Sequence, residues 1–247
     1  MNDFLATLSG LPSPVVLIAL IMTSGALVIL ADWRVLNLLL GIEYLLIGLF
    51  LIVNRIEDFP TELAIVKALV GIMIVPVLYI SARRVRWGRE PDDDGDEAVE
   101  SLQPRFALRP FDFAQGRLRS GSLSASAAPR AGLALRAIVA LLGAAAALYL
   151  ALRSPIQFAA SQAVSRDISM ATFVLIGEGV LNIALNENPL KVGLGLLSVT
   201  AGFEMFFVLV EPTLLVVALL GLVNLMIALA LSYLIAAWAA RPREALR

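Results

Sequence analysis

The sequence predicts an all-α protein, a polytopic membrane bundle of about seven transmembrane helices. Three observations support this fold class: 60% of the 247 residues are hydrophobic, the mean hydropathy is +0.87, and several apolar runs are close to twenty residues long. A helical run of that length spans the roughly 30 Å of hydrocarbon in a bilayer. The runs are continuously apolar rather than alternating, which favours helices over strands.

Seven segments meet this length requirement: 14–31, 35–53, 63–82, 133–152, 168–185, 190–210 and 213–240. The first is interpreted as a retained span, because Asp3 and the absence of an early Lys or Arg argue against a signal peptide. The connections at 32–34 and 211–212 are so short that the segments they join must be antiparallel neighbours.

The stretch 85–132 separates the third and fourth segments and predicts a disordered, charged linker. It is dense in charge, Pro, Gly and Ser, a composition that cannot bury enough apolar surface to fold. It divides the chain into a first membrane unit of three spans, 1–84, and a second unit of four spans, 133–247.

A weak internal repeat suggests that two three-helix units are related. Sliding the chain by 154 positions superimposes four identical pairs: Leu40 on Leu194, Gly41 on Gly195, Gly48 on Gly202 and Tyr79 on Tyr233. Duplication and chance coincidence in helices of low diversity both account for these matches.

The distribution of Lys and Arg predicts the orientation. With the N-terminus outside, the inner side carries most basic residues: Arg34, the ten Arg from Arg83 to Arg136, Lys191, Arg241, Arg243 and Arg247. The outer loops then hold Arg55, Arg153 and Arg166. The positive-inside rule therefore predicts a multi-pass protein of the cell (inner) membrane with its C-terminus in the cytoplasm.

The composition also excludes several kinds of chemistry. The chain has no His and no Cys, which removes the usual ligands of haem, iron–sulfur clusters, zinc and copper, as well as thiol nucleophiles and Ser/His/Asp triads. We therefore expect no cofactor, no metal and no catalytic centre. The net charge of −1 and the placement of the basic residues give no indication of a nucleic-acid partner.

Four charged residues lie at membrane depth, well inside the predicted spans: Glu43, Lys67, Glu178 and Glu204. A charged side chain at the centre of a membrane helix costs about 2.5–3.5 kcal/mol. We therefore expect all four to face protein or water rather than lipid. Desolvation favours the neutral forms of carboxylates and amines while pairing favours the charged forms, so such groups can exchange protons.

Polar neighbours at helical spacing accompany these charges. Asn182 follows Glu178 by four residues and Thr200 precedes Glu204 by four, so each pair shares one side of a helix. We expect Asn182, Thr200 and Asn224 to hold water along the same route. Pro76 follows Lys67 in the third span and predicts a slightly broken, hydrated helix.

Several short motifs resemble a known group of membrane proteins. "RVLNLLLGIEYLL" resembles the second helix of the K subunit of complex I and of the related small, C-type component of multi-subunit cation/proton antiporters, and Glu43 occupies the place of their membrane glutamate. "IVKALVGIMIVPVLYISARR" is similar to the E-type membrane component of group-4, formate-hydrogenlyase-type hydrogenases, with Lys67 at the place of a family lysine. "ENPLKVGLGLLSVTAGFEMFFVLV" resembles a second motif of that hydrogenase component, although the family glutamate falls on Thr200 and the nearest carboxylate is that of Glu204.

The resemblance implies a non-redox subunit of a complex I-like or hydrogenase-like oxidoreductase assembly that contributes to proton or sodium translocation. Its partners would be antiporter-like and other membrane subunits, within the lipid bilayer. Two alternatives stay open: a stand-alone proton-coupled secondary transporter, and a purely structural subunit. In the structural interpretation, Glu43 and Lys67 form a static ion pair between the second and third helices, or each contacts a partner protein.

Overall fold

The computed structural model describes residues 12–54, 61–84, 128–153, 166–211 and 213–239. These residues form seven helices and no strand: α1 Ser13–Ile29, α2 Trp33–Val53, α3 Thr61–Arg84, α4 Ala128–Arg153, α5 Arg166–Leu185, α6 Pro189–Val210 and α7 Leu214–Ala239. Six are long and apolar enough to cross a membrane, and α1, with 17 residues, is shorter. The predicted helical membrane bundle is confirmed.

Side-chain caps begin the central helix of each three-helix unit. Asp32 accepts a hydrogen bond from the Arg34 backbone N–H at the start of α2, and Asn188 accepts one from the Leu190 N–H at the start of α6. Such caps satisfy backbone donors that have no partner within the helix. Pro189 adds to the second cap, because its fixed φ suits the first helical position.

Two details differ from the sequence-based expectations. Helix α4 begins at Ala128, so the last five residues of the predicted linker are helical, while 85–127 lie outside the described residues. Helix α3 continues through Pro76 from Thr61 to Arg84, so the proline does not end the helix, although the backbone hydrogen bond that its missing N–H would make is lost. Proline removes one backbone donor, but neighbouring helices allow a transmembrane helix to accommodate it.

The helices form two rows that run in the same direction. In the first row α2 lies between α1 and α3, and in the second α6 lies between α5 and α7. Each helix also contacts its counterpart in the other row: α1 with α5, α2 with α6, and α3 with α7. A hydrogen bond from Ser13 to Asp167 joins the starts of α1 and α5, and Ser81 contacts Ser232 near the ends of α3 and α7.

The buried positions of α2 and α6 share one register. Nine positions of α2 are buried and are followed 154 residues later by a buried position of α6: Leu36, Asn37, Leu40, Glu43, Tyr44, Ile47, Gly48, Phe50 and Leu51. The offset is the one that aligned the glycines in the sequence. The structure therefore supports two related three-helix units, with α4 as an additional helix packed on α1 and α5.

Burial is concentrated at the centre of the bundle. About half of the span is buried in α2 and α5 and 61% in α6, but only 17% in α4. Large apolar side chains such as Leu141 and Leu142 of α4 and Leu215 of α7 are exposed. The outer surface is thus suited to lipid, and the charged residues of α2, α5 and α6 lie in the part of the bundle most shielded from it.

Candidate functional site

All four intramembrane charges lie inside the bundle. Glu43 on α2, Lys67 on α3, Glu178 on α5 and Glu204 on α6 are each 5% exposed or less. Four different helices therefore direct an ionisable side chain inward, as expected from the cost of placing these groups in lipid.

Lys67 and Glu204 form a buried ion pair between the two rows. The Lys67 ammonium donates to Glu204 Oε2, which joins α3 of the first unit to α6 of the second. The same ammonium lies 5.0 Å from the centre of the Tyr44 ring, an arrangement in which the aromatic face also attracts the cation. The structural interpretation predicted an ion pair between Glu43 and Lys67. Among the described residues, Lys67 instead pairs with Glu204.

Glu43 is held by a hydroxyl of the opposite row. Ser198 on α6 donates to Glu43 Oε2 over 3.1 Å. Oε1 of Glu43 has no hydrogen-bond partner within the described part of the chain. The carboxylate lies close enough to Lys67 and Glu178 to interact with both electrostatically, so Glu43 connects the ion pair to the fourth charge.

Tyr44, next to Glu43 on α2, contacts the Lys67 ammonium with its ring and is completely buried. Its hydroxyl faces the side chain of Asn224 on α7. Gly71 on α3 makes room for the ring, because a Cβ atom at that position would lie 2.4 Å from Cβ of Tyr44. The close approach of α2 and α3 therefore positions the ring against the Lys67 ammonium.

Glu178 lies on the side of the bundle that faces α4. Its carboxylate faces the backbone of Ala144 and lies near Gly143, where a Cβ atom would be 3.6 Å from Oε1. Neither carboxylate oxygen makes a hydrogen bond of ordinary geometry to the described residues. Glu178 is thus a buried acid held mainly by close helix packing.

The three supporting polar residues are placed differently. Asn182 is buried one turn beyond Glu178, and its side chain accepts a hydrogen bond from Asn186. Asn224 is buried beside Tyr44. The hydroxyl of Thr200 donates back to the carbonyls of Leu196 and Leu197 on its own helix. Asn182 and Asn224 therefore accompany the buried charges, whereas Thr200 is directed to its own backbone.

A small cavity of about 10 Å³, room for a single water molecule, borders the ion pair. Its lining is apolar except for Lys67 and Glu204, and comes from α2, α3, α6 and α7: Ile47, Leu51, Lys67, Glu204, Met205, Val208, Val217 and Leu220. The lining residues of α2 and α6 belong to the second half of each helix. The cavity therefore lies on the side of the ion pair toward the ends of α2 and α6, which the orientation rule predicts to be the outer side.

The arrangement suits proton exchange better than metal binding. Among the described residues no group of three or more acidic side chains is placed to hold a metal ion. The buried carboxylates instead meet an ammonium, a serine hydroxyl and a tyrosine ring. Carboxyl and amine groups in a low-dielectric interior can exist in both protonation states.

Ser198 and Tyr44 are contacts that the sequence analysis did not single out. Neither side chain is charged, so the cost of placing charge in lipid gives no reason to single them out. The offset of 154 residues links the two, because Ser198 occupies in α6 the place of Tyr44 in α2. Since Tyr44 is itself identified only from the structure, the offset gives no signal for Ser198 in the sequence alone.

No protein-family model, curated protein or solved structure matches the chain. The fold and the buried charges define a helical membrane protein with an ionisable interior.

Proposed function

We propose that the protein is a membrane subunit that helps to transfer protons through a relay formed by Glu43, Lys67, Glu178 and Glu204. The observation that carries this proposal is the convergence of four buried ionisable side chains from four helices. Their order across the bundle runs from Glu178 beside α4, through Glu43 between α2 and α6, to the ion pair between α3 and α6.

Neighbouring groups in this order interact electrostatically, which makes the protonation of each group depend on that of the next. Glu43 lies within electrostatic reach of both Glu178 and Lys67, and Lys67 is paired with Glu204. A change of protonation at one group alters the energy of the next, because charges interact strongly where water is scarce. Buried Asn182 and Asn224 offer polar contacts for water molecules that would link the groups.

The coordination chemistry favours protons over sodium ions. A metal cation bound by protein oxygens needs several of them around it. The Glu204 carboxylate already has the Lys67 ammonium as its cation, and Glu43 has a single hydroxyl partner, Ser198. A proton needs only one acceptor at a time, so it fits this set of groups without rearrangement.

We further propose that the protein works within a larger assembly. The resemblance of its α2, α3 and α6 segments to small membrane components of complex I and group-4 hydrogenases supports antiporter-like membrane subunits as partners. The chain contains no His or Cys to bind a redox centre, so the driving energy would come from those partners. The exposed apolar side chains of α3, α4 and α7 offer surface for lipid or for neighbouring subunits.

Proton pumping into vesicles tests the function directly. The full chain would be purified with its co-purifying subunits, reconstituted, and energised with the substrate of the assembly while a dye reports pH. Glu43→Gln should reduce proton uptake per turnover by at least tenfold. The amide keeps the shape of the side chain but cannot take up or release a proton. Glu187→Gln, at an exposed carboxylate, is the matched control and should pump normally.

The yield of the assembly separates the proposal from its structural alternative. If Glu43→Gln lowers the yield while each remaining assembly pumps normally, Glu43 is an assembly contact and the relay is refuted. Proton-coupled substrate uptake by the purified chain alone would instead identify a self-sufficient transporter.

A further inference from the structure

Lys191 is a second buried ammonium, remote from the relay. Only 4% of this α6 residue is exposed, and its Nζ donates over 3.5 Å to the carbonyl of Val28 near the end of α1. Among the described residues the only ion pair is that of Lys67 with Glu204. Lys191 therefore has no carboxylate partner among these residues. A single long hydrogen bond to a carbonyl leaves its charge poorly compensated.

Gly143 of α4 packs on Leu181 and Ala147 packs on Gly177, so α4 runs antiparallel to α5. Arg136, two turns before Gly143, therefore lies at the level where α5 ends and α6 begins. It is half-buried and precedes buried Ala140 by one turn, on the face of α4 that also buries Ala147 and Ala151. That face packs on α1 and α5, so Arg136 is directed into the bundle rather than toward lipid. Its charge acts on Lys191, which brings two cations together in a partly desolvated place.

The position of the two cations along the bundle indicates an anion of the membrane surface. Helices α1 and α5 start at the same level, where Ser13 donates to Asp167, but α1 is three residues shorter. Its last residue is therefore level with Ile183, so its last carbonyls end about 3 Å short of the end of α5. By the orientation rule this end faces the cytoplasm, where anionic lipid headgroups are abundant.

The two acidic residues that the structure describes at this end do not neutralise the pair. Asp32 is exposed and caps α2, and Glu187 is exposed at the start of α6. Neither forms an ion pair with Lys191 or Arg136 within the part of the chain that is described. Two cations close together repel each other. A bound ligand with at least one negative charge would offset this repulsion.

We propose that Lys191 and Arg136 bind the phosphate of an anionic phospholipid between α1, α4 and α6. A phosphate group supplies the negative charge and the several oxygens that an ammonium and a guanidinium together require. The bound lipid would hold α4 against α1 and α6. This inference does not depend on the proton relay, because it involves different residues.

Lipid binding to the full chain tests the site. The protein would be purified in a neutral detergent, depleted of lipid, and titrated with phosphatidylglycerol, phosphatidylcholine or inorganic phosphate, with native mass spectrometry and thermal unfolding as readouts. Phosphatidylglycerol should bind more tightly than phosphatidylcholine and raise the Tm. Arg136→Gln and Lys191→Gln should each weaken that binding about fivefold, since one cation near a membrane surface contributes about 1 kcal/mol.

Two further variants keep the test decisive. Lys191→Arg retains the charge and should bind the lipid, even if Lys191→Gln destabilises the end of α1. Arg153→Gln removes an exposed cation at the opposite end of α4 and should leave binding unchanged. Equal binding of the two lipids, or undiminished phosphatidylglycerol binding by Arg136→Gln, would overturn the proposal. Saturation by inorganic phosphate alone would overturn the assignment to a lipid.

Discussion

The two three-helix units share a scaffold but differ in the side chains they place on it. Helices α2 and α6 bury the same positions at an offset of 154 residues, and counterpart helices run in the same direction. The first unit contributes Glu43 and Lys67, and the second contributes Glu178 and Glu204. Their strongest polar contacts cross from one unit to the other, as between Lys67 and Glu204. Neither unit therefore satisfies its charges alone.

The largest effect should come from breaking the ion pair that joins the units. Lys67→Met leaves the Glu204 carboxylate buried without its cation, which should cost about 3–5 kcal/mol of unfolding free energy. Denaturant unfolding in detergent, followed by tryptophan fluorescence, measures this loss. Adding Glu204→Gln to Lys67→Met should recover most of it, because the double variant buries no charge at this place. Additive losses in the double variant would show that the two residues are not energetically paired.

A smaller effect should distinguish equivalent glycines of the two units. Gly179 on α5 contacts α6 so closely that a Cβ atom would lie 2.7 Å from the carbonyl oxygen of Gly195. Gly25, its counterpart on α1, has no atom within 4 Å of such a position. Gly179→Ala should therefore cost about 1–3 kcal/mol through overpacking, whereas Gly25→Ala should be neutral or stabilising. Thermal unfolding of the two variants compares them, and equal Tm values would contradict this difference in packing.

The smallest stability effect concerns two buried serines. Ser198→Ala removes the donor to Glu43 and should cost about 0.5–2 kcal/mol. Ser24→Ala removes a buried hydroxyl that has no partner among the described residues, so its effect should be close to zero. Unfolding titrations of both variants give the comparison. A larger loss in Ser24→Ala than in Ser198→Ala would indicate that the contact with Glu43 is not a stabilising one.

Hydropathy and length were sufficient to predict the seven helices, and most of their ends, because a membrane span is a local property of the chain. The cost of placing charge in lipid also predicted, from the sequence alone, that Glu43 and Glu178 lie in the interior of the bundle. The pairing of Lys67 with Glu204 could not be predicted, since it depends on which helix of one unit lies beside which helix of the other. The continuation of α3 through Pro76 could not be predicted either, because the sequence does not reveal how neighbouring helices accommodate a proline.

The central claim is that the charges of the two units form one electrostatically connected set. Infrared difference spectroscopy across a pH titration tests this most directly, with the carboxyl band of Glu43 assigned by its loss in Glu43→Gln. Replacing Lys67 with Met should change the pH at which that band titrates, while Glu62→Gln, at an exposed residue in the first turn of α3, should leave it unchanged. An identical Glu43 titration with and without the Lys67 ammonium would contradict the connection on which the proposed relay depends.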